Sequence, residues 1–190
     1  TLSRYHLASS ERRSLPVEQS LMKFFDLDRA YTVSHLPTEN GKELVLYTFH
    51  LSAYTSDGTV ATEQLEMLLS DMQSEYEKGN YTIAGGDFNK DLLGNSAAVF
   101  GVSGEGQTWA QPIPPEAFDG VDIRLVAPFD PDRPVPSCRN ADGPYHPAQF
   151  VLTVDGFLLS PNVTSVKSDV VAQDFAYSDH NPVYLRFCLN

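Results

Sequence analysis

The chain has 190 residues, 42% of them hydrophobic, and carries 25 acidic against 13 basic residues for a net charge of −12. That length and apolar share suit one packed domain and exclude a disordered chain, while the negative field disfavours tight binding of nucleic acid. Two cysteines, Cys138 and Cys188, exclude a disulfide framework and a zinc knuckle and read as separate thiols.

In chain order, residues 2–7 read at once as strand, which leads us to expect a chain that begins partway through a fold. Residues 30–36 and 43–50 are rich in β-branched, aromatic and aliphatic side chains, and Asn40-Gly41 between them signals the turn of a hairpin. The second of these strands, Leu44-Val45-Leu46-Tyr47-Thr48-Phe49, lacks polar alternation and reads as central, covered on both faces. From Thr59 to Lys78 the residues Leu65, Leu68, Leu69, Met72 and Tyr76 recur at helical steps, with Gly79-Asn80 as the stop. Residues 81–84 form a short buried strand that runs into Gly85-Gly86, where backbone can approach a ligand closely. Residues 101–147 hold most of the prolines and read as one long loop of the kind that carries substrate contacts. Three strands follow, at 150–159, 163–171 and 182–187. The order strand, helix, strand predicts a layered α/β domain.

No apolar run approaches the roughly 20 residues of a membrane span, and the N-terminus lacks a secretory pattern. The compartment is not legible from this chain. Asn80-Tyr81-Thr82 and Asn162-Val163-Thr164 match the glycosylation triplet.

Four runs carry chemistry. In Gly85-Gly86-Asp87-Phe88-Asn89, at a strand end, alternation along an extended backbone puts Asp87 and Asn89 on one side. There they can hold a hard cation or its water and donate to a phosphoryl oxygen. The plainer alternative is an Asp/Asn turn. Ser178-Asp179-His180, just before the last strand, offers a metal ligand and a general base, or else an ordinary surface loop. Asp155 interrupts an apolar strand, so it needs a partner or an outlet to water, and an imidazole would serve as partner. His50 closes the central strand. Strand C-terminal ends collect the sites of α/β sheets, and His50 and Asp87 occupy two such ends joined through one helical crossover.

Taken together and in this order, these runs resemble the endonuclease/exonuclease/phosphatase superfamily, the deoxyribonuclease I-like proteins, over essentially the whole chain. The resemblance implies a four-layer α/β/β/α sandwich with two mixed sheets, of which this chain would hold one sheet with its helix and part of the other. It implies a divalent-metal-dependent phosphoesterase using Mg²⁺, with Mn²⁺ or Ca²⁺ as alternatives. His180 would activate water, oriented by Asp155. Asp87 and Asn89 would position the nucleophile and the phosphoryl oxygens, and His50 would stabilise or protonate a phosphate oxygen. Asp179 would hold the metal together with Asp87. Apart from the resemblance, Arg139 lies in the proline-rich loop with Tyr145 and His146 nearby and is expected to contact substrate alongside Asn89. Family members also carry an upstream Asn and a metal-ligating Glu that have no match here, so residues 1–190 are expected to be the C-terminal portion of a single such domain.

Three functions compete. The acidic balance favours a phosphodiesterase or phosphatase acting on a small or lipid-borne phosphate. A DNA or RNA nuclease would use the same site but would need a basic groove, which Arg4, Arg12, Arg13, Lys90 and Arg139, scattered on an acidic chain, do not supply. A non-catalytic interaction domain of the same fold is the third, and the presence of Asp87, Asn89, Asp155, Asp179 and His180 together argues against it. A calcineurin-type metallophosphatase is excluded, because its upstream Asp-x-His and its Gly-Asn-His are missing.

Overall fold

The computed structural model of the chain describes residues 2–17, 27–53, 59–107, 109 and 111–190. A six-stranded sheet runs in the order β1 (Ser9–Ser14), β2 (Ala30–Pro37), β3 (Glu43–His50), β4 (Tyr81–Asp87), β8 (Asp155–Leu159) and β5 (Arg124–Val126). Only β3 and β4 are parallel; the other pairs are antiparallel, so the sheet is mixed. The parallel pair requires a crossover, and helix α1 (Thr59–Glu77) supplies it.

The expected hairpin forms β2 and β3, with Gly41 at φ 81° in the turn. The expected helix ends one residue short of Lys78, and Gly79, at φ 91°, donates its N–H to the Tyr76 carbonyl. Its buried stripe of Ala61, Leu65, Leu68, Leu69 and Met72 packs on Tyr31, Val33, Val45, Tyr47 and Phe49 of the sheet. Gln64 is also buried on that face because its amide is spent on the Ser52 main chain and hydroxyl and on the Pro16 carbonyl.

The opposite face of the sheet is covered by an antiparallel ribbon of β9 (Val163–Val170) and β10 (Val183–Leu189), whose Leu185, Phe187 and Leu189 meet Leu44, Leu46, Tyr81 and Ile83. Helix, sheet and ribbon are therefore three stacked layers. Cover on β3 is uneven. Leu44 and Leu46 pack under the ribbon, whereas Thr48 is exposed and bonded to Thr32, so the expectation of a strand covered on both faces holds at one end only.

Other expectations change. Residues 2–7 form no strand; the first strand is the polar Ser9–Ser14, held as a sheet edge by its pairing with β2. The long loop contains a helical turn at Pro115–Phe118, the edge strand β5, and β6 (Cys138–Arg139), which pairs with β7 (Val151–Leu152). A short helix α2 (Ser96–Phe100) lies before it. The strand expected at 150–159 is split into β7 and β8. Neither glycosylation triplet presents a free amide: Asn80 Nδ2 donates to Glu75 and Asn162 Nδ2 to the Asn80 carbonyl. Cys138 is buried and Cys188 exposed, and both are free thiols.

Candidate active site

The parallel register sets His50 directly beside Asp87, and the antiparallel register of β4 and β8 sets Asp87 beside Asp155. Three chemistry-bearing side chains thus share one end of the sheet by backbone pairing alone. His180 joins from the loop before β10, through a bridge between its backbone and Cys138. His180 Nδ1 lies 2.8 Å from Asp155 Oδ2, its Nε2 lies 3.9 Å from Asp87 Oδ2, and His50 Nε2 lies 3.2 Å from that same Asp87 oxygen. Asp87, Asp155 and His180 offer ligand atoms all within 4.8 Å of one another.

The Asp/Asn pair arises differently from the expected alternation. Asn89 sits in the left-handed region at φ 49°, so it does not continue an extended strand. Its N–H donates to Asp87 Oδ1 at 2.7 Å in a local turn, and its Nδ2 donates to the Leu51 carbonyl at 2.7 Å. Between them Phe88 is fully buried, edge-on to Phe49 with ring centroids 4.8 Å apart, which pins the turn to the core. The two glycines before Asp87 serve packing here: a Cβ on Gly86 would lie 2.1 Å from the Phe49 carbonyl oxygen, and one on Gly85 3.1 Å from the Phe157 ring.

Electrostatics follow from this crowding. Burial, then the facing Asp155 carboxylate, pushes the Asp87 carboxyl up to about 6. His180 is pushed up to about 11, first by its bond to Asp155 and then by the Cys138 sulfur, 3.6 Å from Nε2. His50 is lowered, first by burial and then by Arg29 and His180.

Asp179 lies outside the close cluster. Its Oδ1 accepts from the Ser178 hydroxyl, and it lines a recess of about 220 Å³ with Asn89, Trp109, Arg139, Asn140 and His180. Arg139 is held there by donating Nη1 to the Asn140 and Gly143 carbonyls, at 2.7 and 2.9 Å. Of the other cations considered, Arg13 is engaged by Asp71 and Glu11, and Lys90 is buried rather than solvated. Sequence reasoning passed over Arg29, Ser137 and Cys138, for which no motif or spacing gives a signal.

No protein-family model matches the sequence, and no curated protein matches it. Solved structures do. An endonuclease/exonuclease/phosphatase from Beutenbergia cavernae superposes with a TM-score of 0.65 at 18% identity, over 98% of this chain and 46% of that one. A mannosyl-6-phosphatase from Bacteroides thetaiotaomicron matches at 0.59 and 14% identity, over 97% and 67%. D. rerio TDP2, complexed with a single-strand DNA product, matches at 0.60 and 19% identity, over 96% and 68%. The chain carries the endonuclease/exonuclease/phosphatase fold, as its motifs predict. It spans between 46% and 68% of the length of these three structures.

Proposed function

We propose that residues 1–190 form a single domain of a divalent-metal-dependent phosphoesterase, hydrolysing a P–O bond of a small phosphoester by attack of water. The observation that carries this reading is the convergence of His50, Asp87, Asp155 and His180 at one sheet end, from four separate segments. In this reading His180 Nε2 takes the proton of the attacking water. Asp155 holds Nδ1–H and thereby the tautomer. Asp87 and Asn89 orient the nucleophile and the phosphoryl oxygens, and His50 donates to a phosphate oxygen.

The donor set suits a hard cation that keeps several waters, since two partly buried carboxylates face each other with one carboxyl driven toward its neutral form. Asp87 and Asp155 would hold Mg²⁺, Mn²⁺ or Ca²⁺, whereas Asp179, expected from the resemblance as a ligand beside Asp87, contributes no atom to this close group. Asp155 already spends Oδ2 on His180 and Ser137. Bound there, such a cation would neutralise phosphoryl charge and lower the proton affinity of His180, which its bond to Asp155 pushes up to about 11.

Two observations favour a small substrate over nucleic acid. The net charge of −12 repels a polyanion. The recess of about 220 Å³ beside His180 is lined by Trp109, Asn140 and Arg139 and has room for one compact group, with Arg139 and Asn89 as substrate contacts. The nuclease reading rests on the likeness to a protein solved with DNA product. A phosphoester panel on the full-length protein, with Mg²⁺ or with a chelator, tests the proposal. Turnover of small esters is expected to need the cation, to be insensitive to salt, and to fall about 10²- to 10⁴-fold in His180→Ala. Cleavage confined to nucleic acid would favour the nuclease, and undiminished turnover in both Asp87→Ala and His180→Ala would remove the proposed site.

A further inference from the structure

We infer that Ser137 is a positioning residue that sets the geometry of the Asp155–His180 pair, an inference that rests on the phosphoesterase reading above. Ser137 is completely buried. Its hydroxyl donates to Asp155 Oδ2 at 2.8 Å, the same oxygen that meets His180 Nδ1 at 2.8 Å. The hydroxyl oxygen in turn accepts the N–H of Val154 at 3.0 Å and of Asp155 at 3.1 Å. One donor and two lone pairs are all a serine hydroxyl has, so its hydrogen has a single direction left, toward the carboxylate.

The main chain around it closes the same circuit. Ser137 N–H donates to the Leu152 carbonyl on β7, and the Ser137 carbonyl accepts the N–H of Asn181, next to His180, at 2.8 Å. Asn181 Nδ2 donates to the Pro136 carbonyl at 3.0 Å, and Cys138 bridges His180. Residues 136–138 therefore stitch the strand bearing Asp155 to the loop bearing His180, and the Ser137 hydroxyl joins them at the carboxylate itself. With the hydroxyl gone, Asp155 Oδ2 keeps His180 alone to fix its terminal torsion, and the N–H groups of Val154 and Asp155 lose their acceptor. His180 then loses the fixed partner that keeps Nδ1 protonated and Nε2 aimed toward Asp87.

The test uses Ser137→Ala, Ser137→Thr and Ser137→Cys in the full-length protein, each checked for folding by thermal unfolding. With Mg²⁺ and a chromogenic phosphoester, Ser137→Ala is expected to lose about ten- to a hundredfold in kcat with KM little changed, and Ser137→Thr to recover most of it. A second readout needs no turnover. The wild-type protein should show a low-field proton NMR signal from His180 Nδ1–H on Asp155, absent in His180→Asn. That signal should shift and exchange faster with water in Ser137→Ala and persist in Ser137→Thr. If Ser137→Ala does not fold, Ser137→Cys, which keeps the shape with a weaker donor, is expected to fall between wild type and loss in both readouts. Wild-type values in the alanine or cysteine variant, or an alanine defect that threonine leaves unrepaired, would overturn the inference. Absence of phosphoester turnover in the wild type would remove the functional reading alone, because the NMR signal still decides whether Ser137 orients the pair.

Discussion

The Asp87 side chain is only 12% exposed, faces Asp155 across β4 and β8, and meets His50 at 3.2 Å. Its carboxyl, at about 6 in the folded chain against 3.8 ordinarily, keeps a proton that the unfolded chain has lost over that interval. The folded state therefore binds more protons there, and stability falls as pH rises from about 4 to about 6, by roughly 3 kcal/mol at most, and is level above. His180 acts over a higher range: pushed up to about 11, its contribution is complete below about 6.5 and fades as pH climbs toward 11. Urea unfolding in chelator across pH 4 to 7 should show the lower decline in wild type and a smaller one in Asp87→Asn. Equal declines would mean that the Asp87 carboxyl is not held protonated. At this scale the motifs Asp87, Asn89, Asp155 and His180 were legible because each interrupts an apolar run or a strand end. Ser137 was not, because a serine between Pro136 and Cys138 in a loop carries no such mark; its importance comes from where Asp155 happens to turn.

Among the elements, those with a strong internal period were legible. The stripe on α1 repeats because one helix face must meet the sheet, and the β2–β3 hairpin announces itself by Asn40-Gly41. Two of the missed elements, β1 and β5, lie at opposite edges of the sheet. Both are specified by the partner they pair with, and β1 is polar throughout except for the pairing itself. The close approach of β3 and β4 gives an element-scale prediction. Because a Cβ on Gly86 would strike the Phe49 carbonyl, Gly86→Ala should cost about 1–3 kcal/mol in denaturant unfolding and displace His50 from Asp87, lowering kcat as well. A variant with unchanged stability would show that the strands can part without strain.

At the scale of the molecule, the net negative charge and the paired carboxylates bear on the cation. A cation that binds the folded chain alone stabilises it by mass action, about 2.7 kcal/mol at a hundredfold excess over its Kd. Mg²⁺ should therefore raise the unfolding temperature relative to chelator, and Asp87→Asn should blunt the rise. A wild-type unfolding temperature indifferent to Mg²⁺, Mn²⁺ and Ca²⁺ would count against a metal at this site. The layered plan follows from the same large-scale burial: α1 covers one face of the sheet and the β9–β10 ribbon part of the other, leaving the strand ends that carry His50, Asp87 and Asp155 at one rim.

The sequence alone determined the helix, the hairpin, the central strands and the acid, amide and imidazole motifs, because these depend on local periodicity and on the cost of burying polar groups. The tertiary structure decided their meeting. Register across β3, β4 and β8 aligned three of them, a left-handed turn rather than an extended strand aimed Asn89, and a buried serine joined Asp155 to the loop of His180. Pairing register and loop closure are properties of contacts between distant segments, and no local pattern encodes which distant hydroxyl will reach a given carboxylate.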